Sequence, residues 1–221
     1  MNVEQPVKGI LGLGFESTHY YVKEIQKKFK EDNSEFSTYP YLMYQIDCQE
    51  INPFLPNQFE ILIPKLQELI NHIRSIGIKK LLVPNITLHE TLDQVNLPLE
   101  IFHPVQLGID YLKEKSIIEV FIFGTNYTMN SAYLRIRFLE KGIILKLPEK
   151  DDQDWIDNFR KTVFNKAETP EEISVFQSLI KTYASKNPVM IACTELSLYS
   201  LKEVNICIDL AHLQIEAFLK S

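Results

Sequence analysis

Four stretches of the chain set reactive or hydrogen-bonding side chains at the ends of apolar runs. In the first, the run from Val189 to Ala192 ends in Cys193, followed at once by Thr194 and Glu195. That thiol fits two readings. It is a small residue closing a buried strand, because cysteine packs like a small hydrophobe. Or it is a thiol aimed at a ligand, its ordinary pKa of about 8.5 lowered by the dipole of the turn that follows. Glu195 would then orient the thiol or receive an ammonium; it also fits an ordinary exposed carboxylate. In the second stretch, "GTNYTM", Thr125 and Thr128 stand three apart at a strand end, where one serves as a helix N-cap and the other as a ligand contact. In the third, "GLGFEST", Gly12 and Gly14 let backbone approach a ligand closely. This turn lacks both GxGxxG and the GK[ST] ending of a Walker loop, and it suits a carboxylate better than a nucleotide. Ser17 and Thr18 also fit as caps of the following helix. In the fourth, "VPNITLHE", Asn85, Thr87 and His89 follow a strand stopped by Pro84.

Other reactive side chains read as structural. Cys48 and Cys207 lie inside apolar runs. His89 and His103 are single histidines in apolar surroundings, and the five histidines form no pair at ligand spacing. With no CxxC either, no metal is expected. Three cysteines and an N-terminus without a basic and apolar leader predict reduced thiols in the cytoplasm. The formal charge of −6 argues against nucleic acid, which demands a basic face. No apolar run reaches the roughly 18–20 residues of a membrane span.

The elements that must position these turns alternate. Strands are predicted at "VKGILGLG", "YPYLMYQID", "KKLLVP", "SIIEVFIFG", "GIILKLP", "VMIAC" and "VNICIDL". Between them, apolar residues recur at helical spacing: Tyr21, Ile25 and Phe29; then Phe59, Leu62, Leu66, Leu69 and Ile73, closed by Gly77. Further helices are expected over 105–115, 129–141, 153–164, 170–184 and 211–219. Such alternation gives an α/β fold with mostly parallel sheets, whose ligands sit outside the carboxyl ends of the strands. All four stretches fall at such ends. "ILGLGFESTHYYVKEIQKKF" and "FIFGTNYTMNSAYLRIRFLEKG" also share a layout of strand, glycine, threonine-bearing turn and tyrosine-bearing helix. Two related α/β halves would explain that.

Taken together, the turns resemble those of the aspartate/glutamate racemase superfamily, amino-acid racemases that need no pyridoxal phosphate. Ala192-Cys193-Thr194-Glu195-Leu196-Ser197-Leu198 is similar to the motif G-C-T-E-[LI]-P-L. Phe123 to Met129 is similar to L-G-T-x-x-T-M, and Gly12 to Thr18 to G-G-M-[GS]-[PW]-E-S-T, one residue shorter. The resemblance implies two pseudo-symmetric Rossmann-like domains with the active site in the interdomain cleft. The first would hold residues 1–104 together with 206–221, the second 105–205. It implies no cofactor, an aspartate- or glutamate-like amino acid as the small-molecule partner, and a homodimer.

Family chemistry uses two cysteines, one on each face of Cα. The second matches Cys193. The first, in C-N-T-x-H, does not match a cysteine: with Thr87 and His89 aligned, Asn85 takes its place and Ile86 that of the asparagine. An amide is no base near neutral pH. The expectation is a racemase-like protein acting at the Cα proton through one cysteine, with stereochemical asymmetry. The alternatives are a degenerate member that binds without turnover and a single-thiol decarboxylase-like enzyme. The resemblance gives the substrate to Gly14, Phe15, Ser17, Asn85, Thr87, Thr125, Thr128, Lys166, Thr194 and Glu195. Lys166, near a family lysine, equally fits an exposed helix-end residue. No Lys or Arg occurs between Lys30 and Lys65, where some aspartate-specific members carry a basic residue.

Overall fold

One strand order occurs twice along the chain. The computed structural model describes residues 7–203 and 206–221, so the readings of Met1 to Pro6 and of Val204 and Asn205 fall outside the described residues. Two compact units divide it: residues 1–103 with 214–221, and residues 104–213.

In the first unit, β1 (Lys8–Gly12) lies between β2 (Leu42–Gln45) and β3 (Lys80–Leu82), and β4 (Glu100–Ile101) pairs with β3. All pairings are parallel. α1 (Phe15–Glu31) and α2 (Phe59–Ser75) cross over between strands. α2 buries Leu62, Leu66, Ile70 and Ile73 completely, the three-and-four spacing of an amphipathic helix. Each such side chain contributes about 1.5–3 kcal/mol by leaving water. Gly77 ends the turn after α2 at φ +99°, a conformation that favours glycine. β4 is absent from the sequence reading. Only two of its residues pair, opposite Lys80 and Leu81, too few to show a period.

The second unit repeats the order. β5 (Glu119–Phe123) lies between β6 (Ile144–Lys146) and β7 (Val189–Ile191), and β8 (Cys207–Asp209) pairs with β7, all parallel. α4 (Pro104–Glu114) precedes β5, and α7 (Lys150–Phe164) and α8 (Pro170–Ala184) join β6 to β7. α8 starts with a full capping box: Thr169 Oγ1 accepts from Glu172 N, and the Glu172 carboxylate accepts from Thr169 N. The core gathers Phe123, Phe159, Phe176, Ile180 and Ile191.

Two expectations differ here. The single helix expected over 129–141 is two, α5 (Asn126–Met129) and α6 (Ala132–Leu139). Ser131, in extended conformation, caps the second by accepting from Leu134 N, which stops the first. The return to the first unit falls at Gln214, inside α10 (Leu210–Lys220), not at residue 206. The reason is β8: its pairing with β7 keeps residues 207–209 in the second sheet.

Candidate functional site

Counting along the two parallel registers identifies equivalent positions. Ile10 pairs with Leu82, so the count carries Gly12 to Pro84. Phe123 pairs with Ile191, so it carries Gly124 to Ala192. The residues that follow Pro84 and Ala192 are Asn85 and Cys193. Asn85 thus holds in the first unit the topological place that Cys193 holds in the second.

In the second unit, Thr125 sits at the carboxyl end of β5 and caps α5. Its Oγ1 accepts from Thr128 N at 3.0 Å and lies 2.9 Å from Thr128 Oγ1. Asp157 of α7 holds this turn by accepting from Asn126 N at 3.2 Å. Burial pushes the Asp157 carboxyl up, but hydrogen bonds from Lys161, Arg160 and the Asn126 backbone outweigh it and hold the group below the usual range. The neighbouring strand extends the ladder by one bond, from Ala192 N to Phe123 O at 2.8 Å. Cys193 then caps α9 (Thr194–Ser197). Its Sγ donates to Glu195 Oε2 at 2.9 Å. Cys193 is 6% exposed and packs in the core of the unit, so the packing and the polar readings both describe it. Thr194 is buried beside it.

The expected lowering of this thiol does not occur. Burial, then the charge and hydrogen bond of Glu195, push Cys193 well above the ordinary thiol range, against smaller opposing effects of Leu196 N–H and Arg160. At neutral pH the group is a neutral thiol presenting its proton to a carboxylate. The turn dipole loses because α9 is a single turn.

Asp209 was not singled out in the sequence, and it anchors the whole turn. Its Oδ1 accepts from Ser197 Oγ and from Ala211 N, each at 2.9 Å, and its Oδ2 accepts from Ser200 Oγ at 2.9 Å. Ser197 Oγ also lies 3.2 Å from the Cys193 carbonyl oxygen. One buried carboxylate therefore starts α10 and ties down the turn that carries the thiol. The available signal was an aspartate ending "CID" just before a helical pattern, an N-cap signature. Asp209→Ala is expected to cost about 3 kcal/mol, from the lost cap and the buried hydroxyls left unpaired. A urea-denaturation midpoint measures it.

In the first unit, Gly12 gives Gln45 its room: a Cβ there would stand 2.0 Å from Gln45 Oε1 and push that side chain aside. The Gln45 amide in turn donates to Leu13 O at 3.0 Å and Ile46 O at 2.9 Å, fixing the turn. Ser17 and Thr18 do not cap α1; Gly14 does, without a side chain. Both hydroxyls lie inside the first turn and reach back, Ser17 Oγ donating to Gly14 O and Thr18 Oγ1 accepting from Leu13 N. Phe15 opens the helix and is 71% exposed.

The Asn85 side chain is engaged locally. Its Oδ1 accepts from Leu88 N at 3.0 Å, and its carbonyl oxygen lies 2.7 Å from His89 Nδ1, which requires the proton on Nδ1. Thr87 is half-buried within the same turn. His89 opens α3 (His89–Leu92) and is wholly buried, edge-on to the His103 ring at 4.7 Å, with Asp93 3.2 Å beyond on His103 Nε2. It is only half satisfied, because its Nε2 is buried with no hydrogen-bond partner. Burial, then His103, hold its imidazole down at about 3. Below pH 6.5 the unfolded chain takes a proton that the folded chain refuses. Stability therefore falls as the pH drops from about 6.5 towards about 3, by on the order of a few kcal/mol. His89→Phe is expected to lose less stability than the parent between pH 7 and pH 4, read from urea midpoints at both.

Lys166 is exposed, at φ 55° just past the end of α7, with its N–H on Val163 O. Cys207 is buried in β8, and Cys48 is half-buried after the Asp47 turn. Among the described residues no group of three or more His, Cys, Asp or Glu is placed to hold a metal, and no helix is long and apolar enough to cross a membrane.

No protein-family model and no curated protein matches the chain. Solved structures do. A Yersinia pestis protein provisionally called an Asp/Glu racemase superposes with TM-score 0.84 at 19% identity over 98% of both chains. An aspartate racemase homologue from Pyrococcus horikoshii gives 0.81 at 18%, again over 98% of both. The fold is that of the aspartate/glutamate racemases. The aspartate racemase of Picrophilus torridus agrees, with TM-score 0.74 at 19% identity over 97% of this chain and 92% of that one. A Francisella tularensis glutamate racemase solved in complex with D-glutamate shares the fold more loosely, with TM-score 0.59 at 11% identity over 97% of this chain and 80% of that one.

Proposed function

We propose that the chain is a divergent aspartate/glutamate-racemase-type protein that moves the Cα proton of an amino acid through one thiol, Cys193. The observation that carries this reading is the Cys193–Glu195 pair at a strand-end turn, with an amide, Asn85, at the equivalent place in the first unit. A neutral thiol 2.9 Å from a carboxylate is a proton donor with a relay behind it. Starting from that pair, Glu195 takes the thiol proton and the thiolate removes the Cα proton, which leaves a thiol, a protonated Glu195 and a planar carbanion. The thiol then protonates the carbanion on the same face, and the thiolate recovers its proton from Glu195, restoring the starting pair. A substrate ammonium placed near this pair would favour the thiolate by charge, offsetting the upward push of Glu195.

The carboxylate-binding groups in this reading are the hydroxyls of Thr125, Thr128 and Thr194, and the backbone of the Gly14–Ser17 turn at the N-terminus of α1. Asn85, Phe15, Thr87 and Lys166 are the remaining candidates for substrate contact. Asn85 supplies no proton, so chemistry on the two faces of Cα is unequal.

The test is incubation with L- and D-aspartate and L- and D-glutamate in deuterated water, following the Cα–H signal by NMR. Loss of that signal for at least one enantiomer is expected. Measurable binding with no exchange for any of the four would instead favour a binding protein. The engagement of the Asn85 amide with Leu88 N is the observation that speaks for that second reading.

A further inference from the structure

Lys8 has no part in the chemistry above, and its setting is unusual. It starts β1, at the opposite end of the strand from the Gly12 turn, and is only 9% exposed. Its ammonium donates to Phe218 O at 2.9 Å and to the Tyr39 hydroxyl, which itself donates to Phe218 O at 2.8 Å. It also stands 5.1 Å from the Tyr39 ring centroid and 5.8 Å from that of Phe218. Among the described residues no carboxylate pairs with it. A buried ammonium without a counter-ion is costly, and neutral acceptors and ring faces offset only part of that cost. An ammonium has three N–H donors, and two are accounted for.

The same ammonium lines a cavity of about 760 Å³, with Phe29, Tyr39, Tyr41 and Lys220 among the walls. That volume lies in the range of about 300–1,000 Å³ typical of small-molecule sites. Phe29 meets Tyr39 edge-on at 5.1 Å, and the buried Phe218 ring stands behind the wall, 5.5 Å from Tyr39 and 6.1 Å from Tyr41. Lys80, opposite Lys8 in the register, adds positive charge nearby, with its own partner Glu100 at 3.4 Å.

We propose that this pocket is a second ligand site, taking a small organic oxyanion with a planar apolar body, whose charged group meets Lys8 and whose body lies on the Phe29–Tyr39–Tyr41 wall. The missing counter-ion selects the charge, and the aromatic lining selects the body. Three residues of β1 lie between Lys8 and Gly12, roughly 13 Å of strand, so a ligand here does not compete for that turn.

Benzoate and phenyl phosphate serve as probes of the full-length protein, with benzyl alcohol as the neutral control. The two anions distinguish a carboxylate from a phosphate ligand. Saturable binding of at least one anion by calorimetry is expected, with none for the alcohol. Lys8→Met is expected to weaken that binding about tenfold or more, as loss of a charge-assisted contact does. In the unaltered protein, NMR shift changes on titration should fall on Lys8, Tyr39, Tyr41 and Phe218, a readout independent of how the variant folds. Failure of both anions to bind, equal binding of the alcohol, undiminished binding by Lys8→Met, or shift changes confined elsewhere would each overturn the proposal.

Discussion

Cys193→Ser is expected to lower Cα–H exchange by about 10²–10⁴-fold while leaving the fold intact. Serine is nearly the same size, and its hydroxyl can keep the bond that Sγ makes to Glu195 Oε2, so the core around it need not move. What changes is acidity. A hydroxyl gives up its proton far less readily than even this raised thiol, and it is correspondingly poor at taking part in proton transfer at carbon. Circular dichroism melting within a few degrees of the parent, together with lost exchange, is the expected pair of results. Loss of exchange with a collapsed melting transition would point to packing alone.

The companion variant Glu195→Gln separates the causes of the high thiol pKa. Burial is the largest and stays; the carboxylate charge and its hydrogen bond go. The thiol pKa should fall, and the pH at which iodoacetamide begins to modify Cys193 should fall with it. The same linkage has a sign for stability. Burial first, with Glu195 at Cys193 and Asp209 at Cys207, raises both thiols, Cys207 to about 12. The folded chain then holds protons that the unfolded chain releases above about pH 8.5, so stability declines as the pH rises beyond that point.

Asn85→Cys is the second large expectation, a gain of function. If one-sided chemistry follows from the amide at this place, a thiol there restores the second base of the two-cysteine pattern. Inversion should then rise towards the rate of exchange, on the order of 10²-fold above the parent. The cost is local. Asn85 Oδ1 accepts from Leu88 N in the turn before α3, and losing that hydrogen bond should cost about 1 kcal/mol, small enough for the first unit to stay folded. Chiral chromatography of the amino acid after incubation reads inversion directly. An Asn85→Ser control keeps a side-chain oxygen at this place without a thiol, and no gain is expected from it.

Legibility varied with how local the determining physics is. The strands flanking Gly12, Gly124 and Cys193 were legible because apolar runs closing in small residues carry their own signal. Gly77 was legible because a helix stop needs the left-handed conformation it adopts. β4 was not, since Leu81 opposite Ile101 is a tertiary pairing with no local period. The break before α6 depended on Ser131 turning its hydroxyl onto Leu134 N, one of two competing fates for serine inside a helical pattern. The types of Ser17 and Thr18 suit a cap, but Gly14 takes that role through its backbone.

For the candidate site, residue type and order along the chain are what single out Cys193, Thr125, Thr128 and Asn85 as proposals. They did not reveal the protonation of Cys193, which depends on the side chains packed around it and on Glu195 turning back two residues to meet it. Asp209 and Lys8 were both hidden within apolar runs. Their partners, Ser197 and Ser200 for one and Tyr39 and Phe218 for the other, are brought together only by the fold.

The most direct test of one-thiol chemistry is the ratio of Cα–H exchange to inversion in the unaltered protein, taken from one sample in deuterated water by NMR and chiral chromatography together. The account predicts a ratio well above one for a single preferred enantiomer, because in the proposed chemistry Cys193 would serve one face of Cα and Asn85 would not serve the other. Equal rates of exchange and inversion from both enantiomers would contradict it.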